Sequence, residues 1–265
     1  MTDFRRTDVM TVPTSSAHAK VNGLEMYYEI HGTEHEGRRP LVLLHGGVLT
    51  VGLTFGTVLP ALSAERYVIA PELQGHGHTA DTDRPMTVPD LASDVVALLD
   101  ELGVEQADFF GFSLGGLVAL EVAVRHPELV GRLVLASSPY VQSGFRDEIR
   151  FPDQDSPLLP SQADFQEMAE AYAAVAPHPE HFQDFLAKTS AAANAPLPWT
   201  ADDLRALTAP TLLIIGDTDF VRVEHAAEMQ RLIPGARLAV LPGTTHMALM
   251  RRTSLLLPLL DEFLN

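Results

Sequence analysis

Short, uninterrupted apolar runs recur along this chain: LVLLH at 41–45, YVIA at 67–70, ADFFGF at 107–112, RLVLA at 132–136, TLLII at 211–215 and RLAVL at 237–241. Alternation of apolar and polar residues would mark strands with one wet face, whereas continuous runs of this length mark strands covered on both faces, as in a parallel sheet. Between the runs the spacing changes to that of a helix. From Val88 to Leu102 apolar residues fall at 91, 95, 98, 99 and 102, and helical patterns also cover Leu114 to Arg125, Glu224 to Leu232 and a last segment ending near Leu264. Gly103 and Pro127 stand where two of these helices should stop. Near the start, Asn22-Gly23 between two β-favouring runs spells a tight hairpin turn. Strand and helix in alternation predict an α/β fold. Its central sheet should be mostly parallel, with helices on both faces and ligands expected at the carboxyl ends of the strands.

One stretch breaks the alternation. Between Pro139 and Pro198 stand 8 of the chain's 19 prolines, with no strand pattern. Two amphipathic helical pieces lie there. DFQEMAEAYAAVA places Phe165, Met168, Tyr172 and Val175 on one face, and PEHFQDFLAKT carries Phe182, Phe185 and Leu186. The pattern predicts a helical cap inserted over 140–203, with the core formed by 21–139 and 204–265. Residues 1–20 hold two arginines but no apolar stretch of the signal-peptide kind, so an N-terminal arm without fixed structure is expected there.

Charge and composition narrow the function classes. The 265 residues are 46% hydrophobic and carry 18 basic against 35 acidic side chains, a net charge of −17 that argues against binding a phosphate backbone. Positions 139–203 hold eleven acidic and three basic residues, a field that disfavours anionic substrates at close range. There is no cysteine, which excludes disulfides, thiolate nucleophiles and zinc–thiolate sites. No apolar run approaches the roughly 20 residues of a membrane span. A cytoplasmic protein is expected.

Candidate chemistry concentrates at the ends of the apolar runs. In FFGFSLGG, at 109–116, Gly111-Phe112-Ser113-Leu114-Gly115 is a G-x-S-x-G sequence placed where a strand pattern passes straight into a helix pattern. A serine in so sharp a turn is tolerated only if the residues two positions either side lack side chains, and its hydroxyl then projects at a helix N-terminus. Such a hydroxyl needs a base, and the base an orienting acid. Asp217 and Asp219 follow the run at 211–215, and His246 follows the run at 237–241. His45-Gly46-Gly47, after the first run, lets backbone amides approach a ligand oxygen, and with the Leu114 amide would make a two-donor oxyanion hole.

These motifs, taken in order, resemble those of the α/β-hydrolase family over about Val21 to Leu264. HGG (45–47), PELQGHGHT (71–79), GFSLG (111–115), GDTD (216–219) and GTTHM (243–247) stand where that family carries its recurrent motifs. The resemblance implies Ser113 as nucleophile, Asp219 rather than Asp217 as the orienting acid, His246 as base, and Gly47 and Leu114 as the oxyanion donors. It also implies an esterase or enol-lactonase-like enzyme with no cofactor, acting on an apolar, uncharged ester or lactone. His45, Gly46, Phe112, Tyr140, Trp199, Phe220 and Met247 are the candidate pocket residues, Trp199 having packing of the insertion onto the core as its other reading. Glu72 and Gln74 depart from the family's usual acid and arginine, and Val223 stands where a proline is common. His76 and His78 suggest a metal pair but have no third ligand nearby in sequence, so no metal is expected; His178 and His181 fit a role on the cap. A cofactor-free perhydrolase or haloperoxidase-like enzyme, and a non-catalytic ligand receptor on the same fold, are the alternative readings. The oligomeric state is not legible.

Overall fold

The computed structural model of the protein describes residues 12–150 and 156–265. Among these residues eight strands form one sheet: β1 (Ser15–Val21), β2 (Leu24–His31), β3 (Leu41–Leu44), β4 (Val68–Pro71), β5 (Ala107–Phe112), β6 (Val130–Ala136), β7 (Thr211–Thr218) and β8 (Arg237–Thr245). Their order is β1-β2-β4-β3-β5-β6-β7-β8, with β1 and β2 antiparallel and every pairing from β4 to β8 parallel. The hairpin falls where the sequence puts it, with Val21 opposite Leu24 and both Asn22 and Gly23 at positive φ.

The continuous apolar runs are explained by the two faces they serve. Val42, Leu44, Phe109 and Leu133 join one core cluster, while Leu41, Leu43, Phe110 and Val134, their neighbours in the same strands, join a second. Helices α1 (Val51–Phe55) and α2 (Leu59–Ser63) cover the second face together with the last helix, α10 (Thr253–Leu264). The first face is covered by α3 (Val88–Glu101), α4 (Leu114–Arg125) and α9 (Val223–Leu232). Between β6 and β7 lie α5 (Asp147–Arg150), α6 (Gln162–Val175), α7 (Phe182–Asn194) and α8 (Ala201–Arg205). Among the described residues no helix is long and apolar enough to cross a membrane.

Three expectations are corrected. The arm expected over 1–20 lies outside the described residues for 1–11, and from Ser15 it is strand β1, paired along its length with β2. The boundary at 203/204 falls inside α8, which Thr200 caps by accepting from the Asp203 amide. On α6 only Met168 and Tyr172 of the expected apolar face are buried; Phe165 is 47% exposed, because the helix turns that residue to solvent.

Two buried histidines support the turns at the carboxyl ends of β3 and β4. The His45 Nδ1–H donates to the Gly46 carbonyl (2.9 Å) and Nε2 accepts from the Leu73 amide (3.0 Å). His76 repeats the arrangement, Nδ1 donating to the Gln74 carbonyl (2.9 Å) and Nε2 accepting from the Val48 amide (3.1 Å). Each ring can make both bonds only as the neutral imidazole. Burial, and for His45 the adjacent His76 charge, push the two pKa values down to about 3 and about 4. In the unfolded chain both rings protonate near 6.5. As pH falls from about 6.5 toward about 4, the unfolded state therefore binds more protons than the folded state, and folding stability is lost. Urea unfolding across this window should show a decline of up to about 1.4 kcal/mol per pH unit for each ring. His76→Gln should flatten the slope, and an unchanged slope in that variant contradicts the account.

Candidate active site

Ser113 is the last non-helical residue between β5 and α4, and its backbone sits at φ 54°, ψ −117°. That left-handed geometry is strained for a residue with a side chain. The turn is tight enough that a Cβ on Gly111 would overlap the Gly115 carbonyl, and one on Gly115 would overlap the Leu44 carbonyl of β3. Glycine at both positions thus brings α4 directly onto the sheet. Gly116 and Leu117 donate their amides back to the Ser113 carbonyl, at 2.9 and 3.1 Å, starting the helix immediately after the serine.

The three side chains that the sequence separates are brought together. His246 Nε2 lies 3.0 Å from Ser113 Oγ, and His246 Nδ1 lies 2.8 Å from Asp219 Oδ1. Asp219 is fully buried and held from several directions. Ser137 Oγ donates to Oδ2 at 2.5 Å, as does the Gly216 amide at 3.2 Å, while the Val221 amide donates to Oδ1 at 3.3 Å. Burial raises the pKa of this carboxyl, but the His246 charge and the hydrogen bonds outweigh it and hold the group below the usual carboxylate range. Asp217, the other carboxylate of the pair, points elsewhere. It accepts the amides of Gly243 and Thr244 at 2.9 and 3.0 Å, bracing the turn that leads to His246.

Phe220 lies flat against the His246 ring, with centroids 3.9 Å apart and planes 5° apart, and Phe112 approaches the same ring at 4.9 Å. Phe112 and Met247, the chain neighbours of Ser113 and His246, line a small cavity that Met168 of α6 lines as well. Gly47 faces Leu114, so that a Cβ on Gly47 would stand 3.7 Å from the Leu114 Cβ. Gly46 is packed against Leu49 and Phe112. Val48, next in the loop, has φ 63°, which is costly for a β-branched residue, and its amide is held by His76.

Three candidate pocket residues serve the scaffold instead. His45 is wholly buried, with both ring nitrogens on backbone groups. Tyr140 stacks on His225 at 4.9 Å and donates its hydroxyl to Glu228 of α9 at 2.9 Å. Trp199 donates Nε1 to Glu121 Oε2 at 2.6 Å, two turns along α4 from the serine. In each case a buried polar atom had to find a partner, and found it away from the reacting hydroxyl. Ser137 was not singled out from the sequence; its one signal is its place directly after β6. It too has positive φ, 56°.

The paired histidines 76 and 78 part company. His76 uses both nitrogens on backbone groups, while His78 Nδ1 pairs with Glu72 at 2.8 Å. Among the described residues the atoms of His178, Glu180 and His181 do gather within 4.8 Å, but all three side chains are exposed, and ion-pair contacts at 3.6 and 3.8 Å account for the grouping.

The profile of the alpha/beta hydrolase family matches residues 41–255. A pimeloyl-[acyl-carrier protein] methyl ester esterase of Edwardsiella ictaluri is 30% identical over 234 residues, covering 79% of this chain and 87% of that protein. A 2-hydroxymuconate semialdehyde hydrolase of a Pseudomonas species is 41% identical over 102 residues, a match spanning only 36% of its length. Among solved structures, the enol-lactonase of Burkholderia xenovorans superposes with a TM-score of 0.73 at 25% identity, over 93% of this chain and 99% of that one. A family profile running from β3 into the start of α10 settles the assignment: this chain belongs to the alpha/beta hydrolase family.

Proposed function

We propose that this protein is a serine hydrolase that cleaves a carboxylic ester or lactone through an acyl-enzyme. The observation that carries the proposal is the unbroken chain from Asp219 through His246 to Ser113, with links of 2.8 and 3.0 Å. His246 Nδ1–H donates to the Asp219 carboxylate, which leaves Nε2 as the acceptor for the Ser113 proton. As Ser113 Oγ attacks the carbonyl carbon, Nε2 takes that proton and then delivers it to the leaving oxygen. The negative charge that develops on the carbonyl oxygen is received by the amides of Leu114 and Gly47. The Leu114 amide is at the first position of α4, where helix N–H groups lack internal partners. Water, activated by the same histidine, then releases the acid.

Asp219 keeps the imidazole in one tautomer, and Ser137 keeps Asp219 in one orientation. Helices α6 and α7 act as the cap: Met168 enters the cavity, and Lys188 of α7 pairs with Asp81 at 2.8 Å on the core side. The ester and lactone names borne by two of the relatives agree with this chemistry.

Ser113→Ala should fold normally and lower turnover of p-nitrophenyl acetate by about 10⁶-fold. Near-normal turnover would sink the assignment. Ser137→Ala should lower kcat by roughly tenfold to a hundredfold with KM little changed, since it deletes one hydrogen bond to a buried carboxylate. A rise in KM as large as the fall in kcat would show that Ser137 does not act through Asp219.

A further inference from the structure

The loop that carries the Gly47 amide is held in a form that its own sequence does not favour. After β3 the Leu49 amide donates to the Gly46 carbonyl at 3.2 Å, which closes a turn with Gly47 and Val48 at its centre. Of these two it is Val48, and not Gly47, that has positive φ, 63°. Positive φ at the third position alone is the signature of a type II turn, where glycine or asparagine ordinarily stands. Here a β-branched side chain occupies the position and packs against both core clusters.

A relaxed alternative lies close by. A type I turn uses the same closing bond, reverses the central peptide, and puts the third residue at φ of about −90°, which suits valine. Rotating the peptide between Gly47 and Val48 by about half a turn would therefore remove the strain. His76 opposes that rotation. The Val48 amide donates to His76 Nε2 at 3.1 Å. Because the N–H and carbonyl of one peptide point in opposite directions, rotation would withdraw the donor and bring the Gly47 carbonyl toward the Nε2 lone pair.

The ring is itself held in place. His76 is buried, and its Nδ1–H donates to the Gln74 carbonyl at 2.9 Å. Phe185 of α7 meets the ring edge-on with centroids 4.7 Å apart, and the His45 ring lies 4.8 Å away. Its acceptor is thus fixed from the far side of the turn and from the inserted helix. An oxyanion donor contributes fully only when its direction is set before the charge appears, and a turn exchanging between two forms cannot set it.

We propose that His76 is a positioning residue of the oxyanion hole: by accepting the Val48 amide it keeps the 46–49 turn in its strained form, and so keeps the Gly47 donor aimed. This rests on the serine hydrolase reading above, which gives the Gly47 amide its role.

The test separates positioning from general support. His76→Leu removes the acceptor at similar volume, and crystals of that variant should show Val48 at negative φ. Its kcat on p-nitrophenyl acetate should fall by about tenfold to a hundredfold with KM little changed, a part of the roughly 10²–10³-fold that one whole donor supplies. Glycine tolerates positive φ without strain, so a turn carrying Val48→Gly no longer needs the histidine. His76→Leu should therefore cost less than about threefold when measured against Val48→Gly alone. Val48 at positive φ in crystals of His76→Leu, or an equal loss of kcat in both backgrounds, overturns the proposal. Should His76→Leu not fold, the wild type answers by NMR: scalar coupling across the hydrogen bond between the Val48 and His76 Nε2 nitrogens is expected, and its absence overturns the proposal. If the wild type turns over no ester, the serine hydrolase reading fails by itself, while the φ of Val48 and the coupling still decide whether His76 holds the turn.

Discussion

Everything at this site depends on how closely α4 can approach the sheet. Ser113 can hold its left-handed backbone only if the helix begins at once and lies against the strands, and that approach is limited by backbone atoms. Gly111 meets the Gly115 carbonyl, Gly115 meets the carbonyl of Leu44 on β3, and Gly116 meets the Ser138 side chain. At each of these places a single methyl group would push the helix outward. The strain of the serine, of order 1–3 kcal/mol, is offset by the large apolar contact of α4, almost every residue of which is buried. The result is a hydroxyl whose position is fixed by packing of main chain on main chain.

Around that point lies a layer of buried polar groups that place backbone turns. His45 and His76 each join two backbone groups and must remain neutral to do so. Glu72 accepts the amides of Val51 and His78, tying the loop after β4 to the start of α1. Ser137 and the Gly216 amide fix Asp219. These contacts keep a strained loop, with Val48 at φ 63°, from relaxing away from the nucleophile. Charge is used only where it meets a partner: Asp219 is held as an anion against His246, while the histidines under the loop are held uncharged. The same burial thus serves opposite ends, because the neighbours differ.

The architecture was legible because the chain states it twice, in continuous apolar runs and in the glycine and histidine motifs at their ends. Helix α4 begins and ends where the pattern places it, and β5 coincides with ADFFGF. The distinction between Asp217 and Asp219 was not a matter of spacing. Asp217 is the next-to-last residue of β7 and Asp219 comes just after it, and only the fold turns one inward to His246 and the other onto the amides of Gly243 and Thr244. Aromatic residues were the poorest guides. Tyr140 and Trp199 each have an apolar body that suits a pocket wall, yet their polar tips are drawn to Glu228 and Glu121, so their place is set by carboxylates far off in sequence. Ser137 gave almost no signal, since a serine after a strand ordinarily serves only a turn. The short helices α1 and α2 were missed because five-residue elements are too brief to display a period.

The departures at positions 72 and 74 also find a physical explanation. Gln74 lacks the charge of an arginine, but Arg84 donates Nε to Gln74 Oε1 at 2.6 Å and forms an ion pair with the buried Asp94 of α3. Gln74 Nε2 donates in turn to Asp81 at 2.7 Å, and Asp81 receives Lys188 of α7. A cation is thus still present in this region, ten residues further along the chain, and glutamine links it to the contact between core and inserted helices. Glu72, longer than aspartate by one methylene, reaches the His78 ring as well as two amides, and the pairing raises the pKa of that histidine. A Cβ on Gly77 would overlap the Glu72 carboxyl, so the extra length of the acid is accommodated by the absence of a side chain opposite it. The substitutions are coupled: restoring aspartate at 72 alone would strand the amides of Val51 and His78, and arginine at 74 would face Arg84 across a buried network.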